Sequence, residues 1–191
     1  MKKAQVLGML ACGLLFAGSA NAEMLFGGAM AGTNENPANA SPASGLTIVT
    51  IDDSLSTMSV HVEWNGLTGG LPSAAHIHCC TNIGTNIGVA VGFPGFTTAL
   101  SGSFDALFNL LNPAIYTAGF LNNFGGGTAA GARDALIAGL TAGRAYSNIH
   151  NSVFPGGEIR ANLSPVPLPG AALLLLSGIG MVGGLRRLRG S

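Results

Sequence analysis

The sequence predicts a mainly β, antiparallel domain with one or two short helices, carried between two segments that direct export. Three observations predict it. Residues 46–51 are rich in β-branched side chains, and residues 56–64 alternate strictly between apolar and polar. Turn-forming clusters such as Asp52-Asp53-Ser54 and Phe93-Pro94-Gly95-Phe96 punctuate the chain. Both ends combine an apolar run with basic residues, Lys2 and Lys3 at the start and Arg186, Arg187 and Arg189 at the finish. The formal net charge of the 191 residues is zero, but only Arg133, Arg144 and Arg160 are basic between those ends. The middle is therefore acidic, which excludes nucleic acid as a partner, since phosphate binding needs a basic face.

Residues 1–22 read as a signal peptide. Lys2 and Lys3 form its charged region, residues 6–17 its short apolar run, and Ala20-Asn21-Ala22 its small-x-small cleavage site before Glu23. Cys12 leaves with it. The exported domain spans residues 23–164 and opens on residues 24–30, read as an edge strand. Residues 46–51 and 56–64 form a half-buried hairpin with Met58, Val60, Val62 and Trp64 inward. His61 lies on the polar face and reads as solvated. Asp52 and Asp53 make a turn, since nothing nearby completes an oxygen cage for calcium.

The next stretch, Ala75-His76-Ile77-His78-Cys79-Cys80, carries the chemistry. On a strand, His76 and His78 share one face, with Cβ atoms roughly 6–7 Å apart. Two imidazoles at that spacing can converge on one metal ion. Residues 89–91 form a short strand. Phe104, Leu107, Phe108 and Leu111 fit a helical period, while Phe104, Ala106, Phe108 and Leu110 fit a strand, and the type stays open. Asn112-Pro113 can cap a short helix through Phe120. Gly125-Gly126-Gly127 is a flexible loop, without the preceding strand or following lysine of a phosphate-binding loop. Residues 128–140 read as a helix capped by Thr128 and ended by Gly143. Strand 144–150 ends on His150. The last strand, 158–163, turns Ile159, Ala161 and Leu163 inward and Arg160 and Asn162 outward.

Ala75-His76-Ile77-His78, Ala145-Tyr146-Ser147-Asn148-Ile149-His150 and Phe154-Pro155-Gly156-Gly157-Glu158-Ile159-Arg160 resemble the hallmark segments of the CHRD domain, the module named for chordin. The resemblance covers nearly all of residues 24–163. Cys79-Cys80 departs from the commoner Gly-Pro and is similar to a bacterial subset. The resemblance implies an immunoglobulin-like, Greek-key antiparallel β-sandwich with no established catalytic activity. It also implies that the strand ending in His150 lies close to the His76–His78 strand.

Residues 165–191 form a second address segment. Val166, Pro167, Leu168 and Pro169 precede an apolar run of about 15 residues, roughly 22 Å as a transmembrane helix. Arg186, Arg187 and Arg189 should stay cytoplasmic. This arrangement resembles the PEP-CTERM sorting tail of Gram-negative bacteria in its VPLPA-like variant, with Leu168 and Gly170 as departures. The resemblance implies an exosortase-type enzyme as partner, inner-membrane anchoring before sorting, and a final place at the cell surface or outside.

No Gly-x-Ser-x-Gly elbow or suggestively spaced carboxylate pair is present, so no enzyme activity is expected. Two readings of the histidines stand. In one, His76 and His78 are hydrogen-bonded structural residues of a non-enzymatic envelope or matrix module that binds partners or polysaccharide. In the other, the chain is a periplasmic or surface metalloprotein, open to redox activity, in which His76, His78 and His150 hold copper or zinc, with Glu158 or Asn148 orienting a ring. The His-x-His strand also resembles copper ligands of Cu/Zn superoxide dismutases, without the remaining ligand pattern. After signal removal Cys79 and Cys80 are the only cysteines. A vicinal disulfide, an interchain bond and a pair of thiolates are their alternatives, the first being favoured because adjacent residues need no search to meet.

Overall fold

A computed structural model describes residues 23–167. The predicted signal peptide, the transmembrane helix, Leu168, Pro169 and the arginine cluster lie outside the described residues. Among the described residues no helix is long and apolar enough to cross a membrane.

Among the described residues eight strands are present: β1 (Met24–Ala31), β2 (Ser44–Asp52), β3 (Thr57–Asn65), β4 (Ala74–Cys79), β5 (Val89–Gly92), β6 (Gly102–Asn109), β7 (Ala145–His150) and β8 (Ile159–Pro165). Two short helices, α1 (Ala118–Asn123) and α2 (Ala129–Thr141), lie between β6 and β7. The strands are not divided between two hydrogen-bonded sheets, as a sandwich requires. They form one antiparallel sheet in the order β5-β4-β7-β8-β1-β2-β3-β6. The sheet curls on itself as a half-barrel. Thr47 of β2 hydrogen-bonds Ser147 of β7 at 2.6 Å across the buried interior. The two outer strands are joined by aromatic packing instead of a ladder. Phe93, just past β5, stands 5.3 Å from Phe104 of β6, and Phe96 stands 4.6 Å from Trp64.

Several expectations change. The opening strand is interior, flanked by β2 and β8, so it is not an edge. Residues 102–109 are a strand paired with β3 along its length. The helical period would have buried Leu107 and Leu111, which are 73% and 52% exposed, whereas Phe104 and Phe108 are buried. The single helix read from Asn112 to Phe120 is broken in two. Asn112 caps a 3-10 turn over Pro113–Ile115, and Thr117 caps α1. Tyr116 stays extended between them because its backbone bridges Val91 and its hydroxyl donates to the Leu110 carbonyl. Tertiary contacts here outweigh local helix preference.

Helix α2 follows the sequence closely. Thr128 accepts from the Gly131 amide at its start, and Gly143, with φ of 65°, lies just past its end. Its buried face, Ala132, Leu136 and Leu140, covers the apolar side of β4, β7 and β8. That side presents Ala75, Ile77, Ile149, Ile159, Ala161 and Leu163, all buried. Burying an isoleucine such as Ile77 contributes about 1.5–3 kcal/mol. The sulfurs of Cys79 and Cys80 are joined in the structure and lie against α2 at Gly139, where any Cβ would overlap both.

Candidate metal centre

The register of β4 against β7 builds the site. His76 lies opposite Asn148, His78 opposite Tyr146, and Ala74 opposite His150. Alternation then places His76, His78, Tyr146, Asn148 and His150 on the face of the sheet away from the apolar core. The imidazole centroids are 5.7 Å apart for His76 and His78, 5.1 Å for His76 and His150, and 6.2 Å for His78 and His150. One ring nitrogen from each lies within 4.8 Å of the others. Donors on a tetrahedral ion stand about 3.3 Å apart, so an ion would draw the widest pair together.

Loops cover this face and bury it. Arg160, expected outward, does point to the outer face, but it is fully buried beneath the loop that follows Cys80. Its guanidinium donates to the Thr85 carbonyl at 2.8 Å and to Asn86 Oδ1 at 3.0 Å. Those loop contacts replace the water that an outward arginine would have. The guanidinium also lies 3.3 Å from the centroid of Tyr146, and that ring stacks on His78 at 4.5 Å. Glu35, from the loop after β1, is buried beside Asn148 at Gly157, where a side chain would overlap its carboxyl.

Two histidines are held through Nδ1. His78 Nδ1 donates to the Ile87 carbonyl at 2.7 Å, and His150 Nδ1 donates to the Pro155 carbonyl at 2.9 Å. A carbonyl can only accept, so each Nδ1 carries the proton and each Nε2 keeps its lone pair. Nε2 is thus the nitrogen free to ligate in both. His76 Nδ1 is buried without a hydrogen-bond partner among the described residues.

Burial keeps the rings neutral. It lowers the pKa of His76 to about 4, helped by the neighbouring His150 and His78. It lowers that of His78 to about 4 as well, against the opposing pull of the Ile87 carbonyl. It also lowers His150, partly offset by the Pro155 carbonyl. Neutral imidazole is the form that binds metal. Burial pushes Glu35 the other way, up to about 7, while the Arg160 charge and the Asn148 amide pull it down.

Of the residues singled out in the sequence, His76, His78 and His150 come together and Asn148 lies among them. Glu158 does not. Its carboxylate is a structural pin, accepting from Ser41 Oγ (2.6 Å), Thr68 N (2.7 Å), Thr68 Oγ1 (2.9 Å), Gly69 N (3.2 Å) and Asn151 Nδ2. His61 is elsewhere, on β3, with Asp105 at 2.7 Å and Glu63 at 3.4 Å. Sequence reasoning missed Glu35, Arg160 and Tyr146 as neighbours of the cluster. Tyr146 carried a signal, since it stands at the same parity as Asn148 and His150 on one strand. A groove of about 790 Å³ opens beside His76, lined by Phe93, Phe96, Phe108 and Tyr116 among others.

A half-barrel with a histidine cluster on its outer face, carried by the Ala-His-Ile-His and Asn-Ile-His strands, defines the class. The CHRD domain family model matches residues 26–163, and the chain belongs to that family. No curated protein matches the chain, and no solved structure does.

Proposed function

We propose that this chain is an exported, non-enzymatic CHRD module that holds one copper or zinc ion at His76, His78 and His150. The observation that carries the reading is the convergence of three neutral ring nitrogens, from two strands far apart in sequence, within 4.8 Å. Imidazole donors suit both metals, and copper binds more tightly at such sites. Family membership supports a binding or structural module. Its place is the envelope or extracellular matrix, where polysaccharide is its candidate partner. The test is elemental analysis of protein loaded with copper or zinc and then desalted. One ion per chain is expected, and none would return the histidines to a structural role. A redox enzyme is the second reading, favoured by the groove that opens beside His76. Superoxide turnover by the copper-loaded protein would carry that reading.

Export rests on the two terminal segments. The structure of the domain is compatible with both cuts, since β1 begins at Met24 and β8 ends at Pro165, with Phe26 paired to Pro165. Mass spectrometry of surface material should show Glu23 as the first residue and a new end near residues 167–170. Released protein that still carries Arg189 would contradict sorting and leave a plain membrane anchor.

Export also places Cys79 and Cys80 in an oxidising compartment. Thiol titration of the native protein is expected to find none free, and two after reduction. Two free thiols without reductant would contradict the vicinal disulfide. A disulfide-linked dimer on a non-reducing gel would point to the interchain bond.

A further inference from the structure

The outer face holds an oxygen atom whose position the three-histidine reading leaves unused. Asn148 Oδ1 lies 3.1 Å from Nε2 of His78 and 2.9 Å from Nε2 of His150. Both Nε2 atoms are bare, because both Nδ1 atoms donate to carbonyls. An amide oxygen is an acceptor too. Three lone pairs therefore face one another inside a site where Asn148 is 2% exposed and His78 is 7% exposed. Such contacts are costly in a buried site unless a cation lies among them.

Turning the amide over does not remove the conflict. It would give the rings a donor, but it would set Oδ1 against the Gly156 carbonyl, which now accepts from Nδ2 at 3.3 Å. The orientation that satisfies Gly156 is the one that aims Oδ1 at the two rings. Donor separations of 2.9 and 3.1 Å lie close to the roughly 3.3 Å edge of a tetrahedron with bonds of about 2 Å.

We propose that Asn148 Oδ1 is the fourth ligand, so that the centre is a three-nitrogen, one-oxygen site for Cu²⁺ or Zn²⁺ formed with His76, His78 and His150. This rests on the reading of the histidine cluster as a metal centre. It changes what that centre is, since the fourth position is filled by the protein instead of being left for substrate. It also gives Gly157 a role. A side chain there would overlap Glu35 and crowd Asn148 Nδ2, moving the amide that carries the ligand.

The test uses the purified full chain, its Asn148→Leu and Asn148→Asp variants, and His150→Ala as reference. Copper affinity is read by calorimetry and the coordination sphere by Cu²⁺ electron paramagnetic resonance, with thermal unfolding run alongside. Asn148→Leu is expected to weaken copper binding by about tenfold or more and to change the copper hyperfine coupling, with three histidine nitrogens still present. Asn148→Asp keeps an oxygen donor and adds charge, so it is expected to bind at least as tightly as wild type with a shifted spectrum. A Leu variant that binds copper with wild-type affinity and spectrum would overturn the assignment and leave the three-histidine centre standing. Loss of binding in both folded variants would overturn it too, by making Asn148 a support for the fold of the site. If the Leu variant does not fold, Asn148→Asp decides alone, and an unchanged spectrum overturns the proposal. Wild type that binds no more copper than His150→Ala would instead remove the metal centre itself.

Discussion

His78→Ala and His150→Ala are each expected to lower copper affinity by at least about 100-fold, while His61→Ala leaves it unchanged. Each of the first two removes a bare Nε2 that points into the cluster. His61 is bound to Asp105 and Glu63 on another part of the sheet. Calorimetry on the four proteins checks this, and equal affinities would make the cluster structural. The pH dependence adds a second check. A free imidazole is protonated below about 6.5, and metal binding would fade there. In this site burial holds His76 and His78 down to about 4, so those two rings stay neutral well below 6.5. Copper binding is expected to persist at pH 5.5 and to fail as pH approaches 4. The folding stability of the apo protein follows the same two values. Below 6.5 the unfolded chain takes up protons that the folded rings refuse, so the contribution of these two histidines to stability falls from pH 6.5 to about 4 and then levels off.

Glu158→Ala is expected to be the most destabilising single substitution away from the apolar core, by about 4 kcal/mol or more. Truncation leaves the donors from Ser41, Thr68, Gly69 and Asn151 without their common acceptor. For a domain of this size that corresponds to a fall in Tm of roughly 8–16 °C. Glu158→Gln keeps the shape but turns a donor toward donors, and should fall between. Burial alone would raise the Glu158 pKa, but the surrounding donors outweigh it and hold it below the usual carboxylate range. The charge therefore stabilises fully above about pH 4.5, and its contribution is lost as pH falls through the depressed value. The effect reaches the histidine cluster, because Asn151 belongs to the loop whose Pro155 carbonyl holds His150. Thermal unfolding of the three proteins at pH 7 measures it, and a Tm within 2–3 °C of wild type for the alanine variant would contradict the role.

The strands were legible where one face meets the core. Met58, Val60, Val62 and Trp64 alternate in the sequence and are buried in the structure. The helix from Thr128 was legible from its cap and its apolar spacing. Sheet order was not, because β4 and β7 are separated by the whole of β5, β6 and both helices, and no local pattern encodes such pairing. Residues 102–109 satisfied two periods at once, and only pairing with β3 decides between them. The histidines were visible as a pair on one strand and a third at the end of another. What stayed hidden was the covering of the outer face. Arg160 alternates outward as a solvated residue would, yet the loop carrying Thr85 and Asn86 folds over it. The same burial lowers the histidine pKa values, and no spacing rule reports it.

In the proposed centre, imidazoles from β4 and β7 converge on one ion. Pulsed electron paramagnetic resonance of the copper-loaded protein measures this most directly, because it counts the remote nitrogens of coordinated imidazoles. One Cu²⁺ per chain bound to three imidazoles is expected, falling to two in His76→Ala. Copper that sees one imidazole or none, or a signal unchanged by His76→Ala, would contradict it.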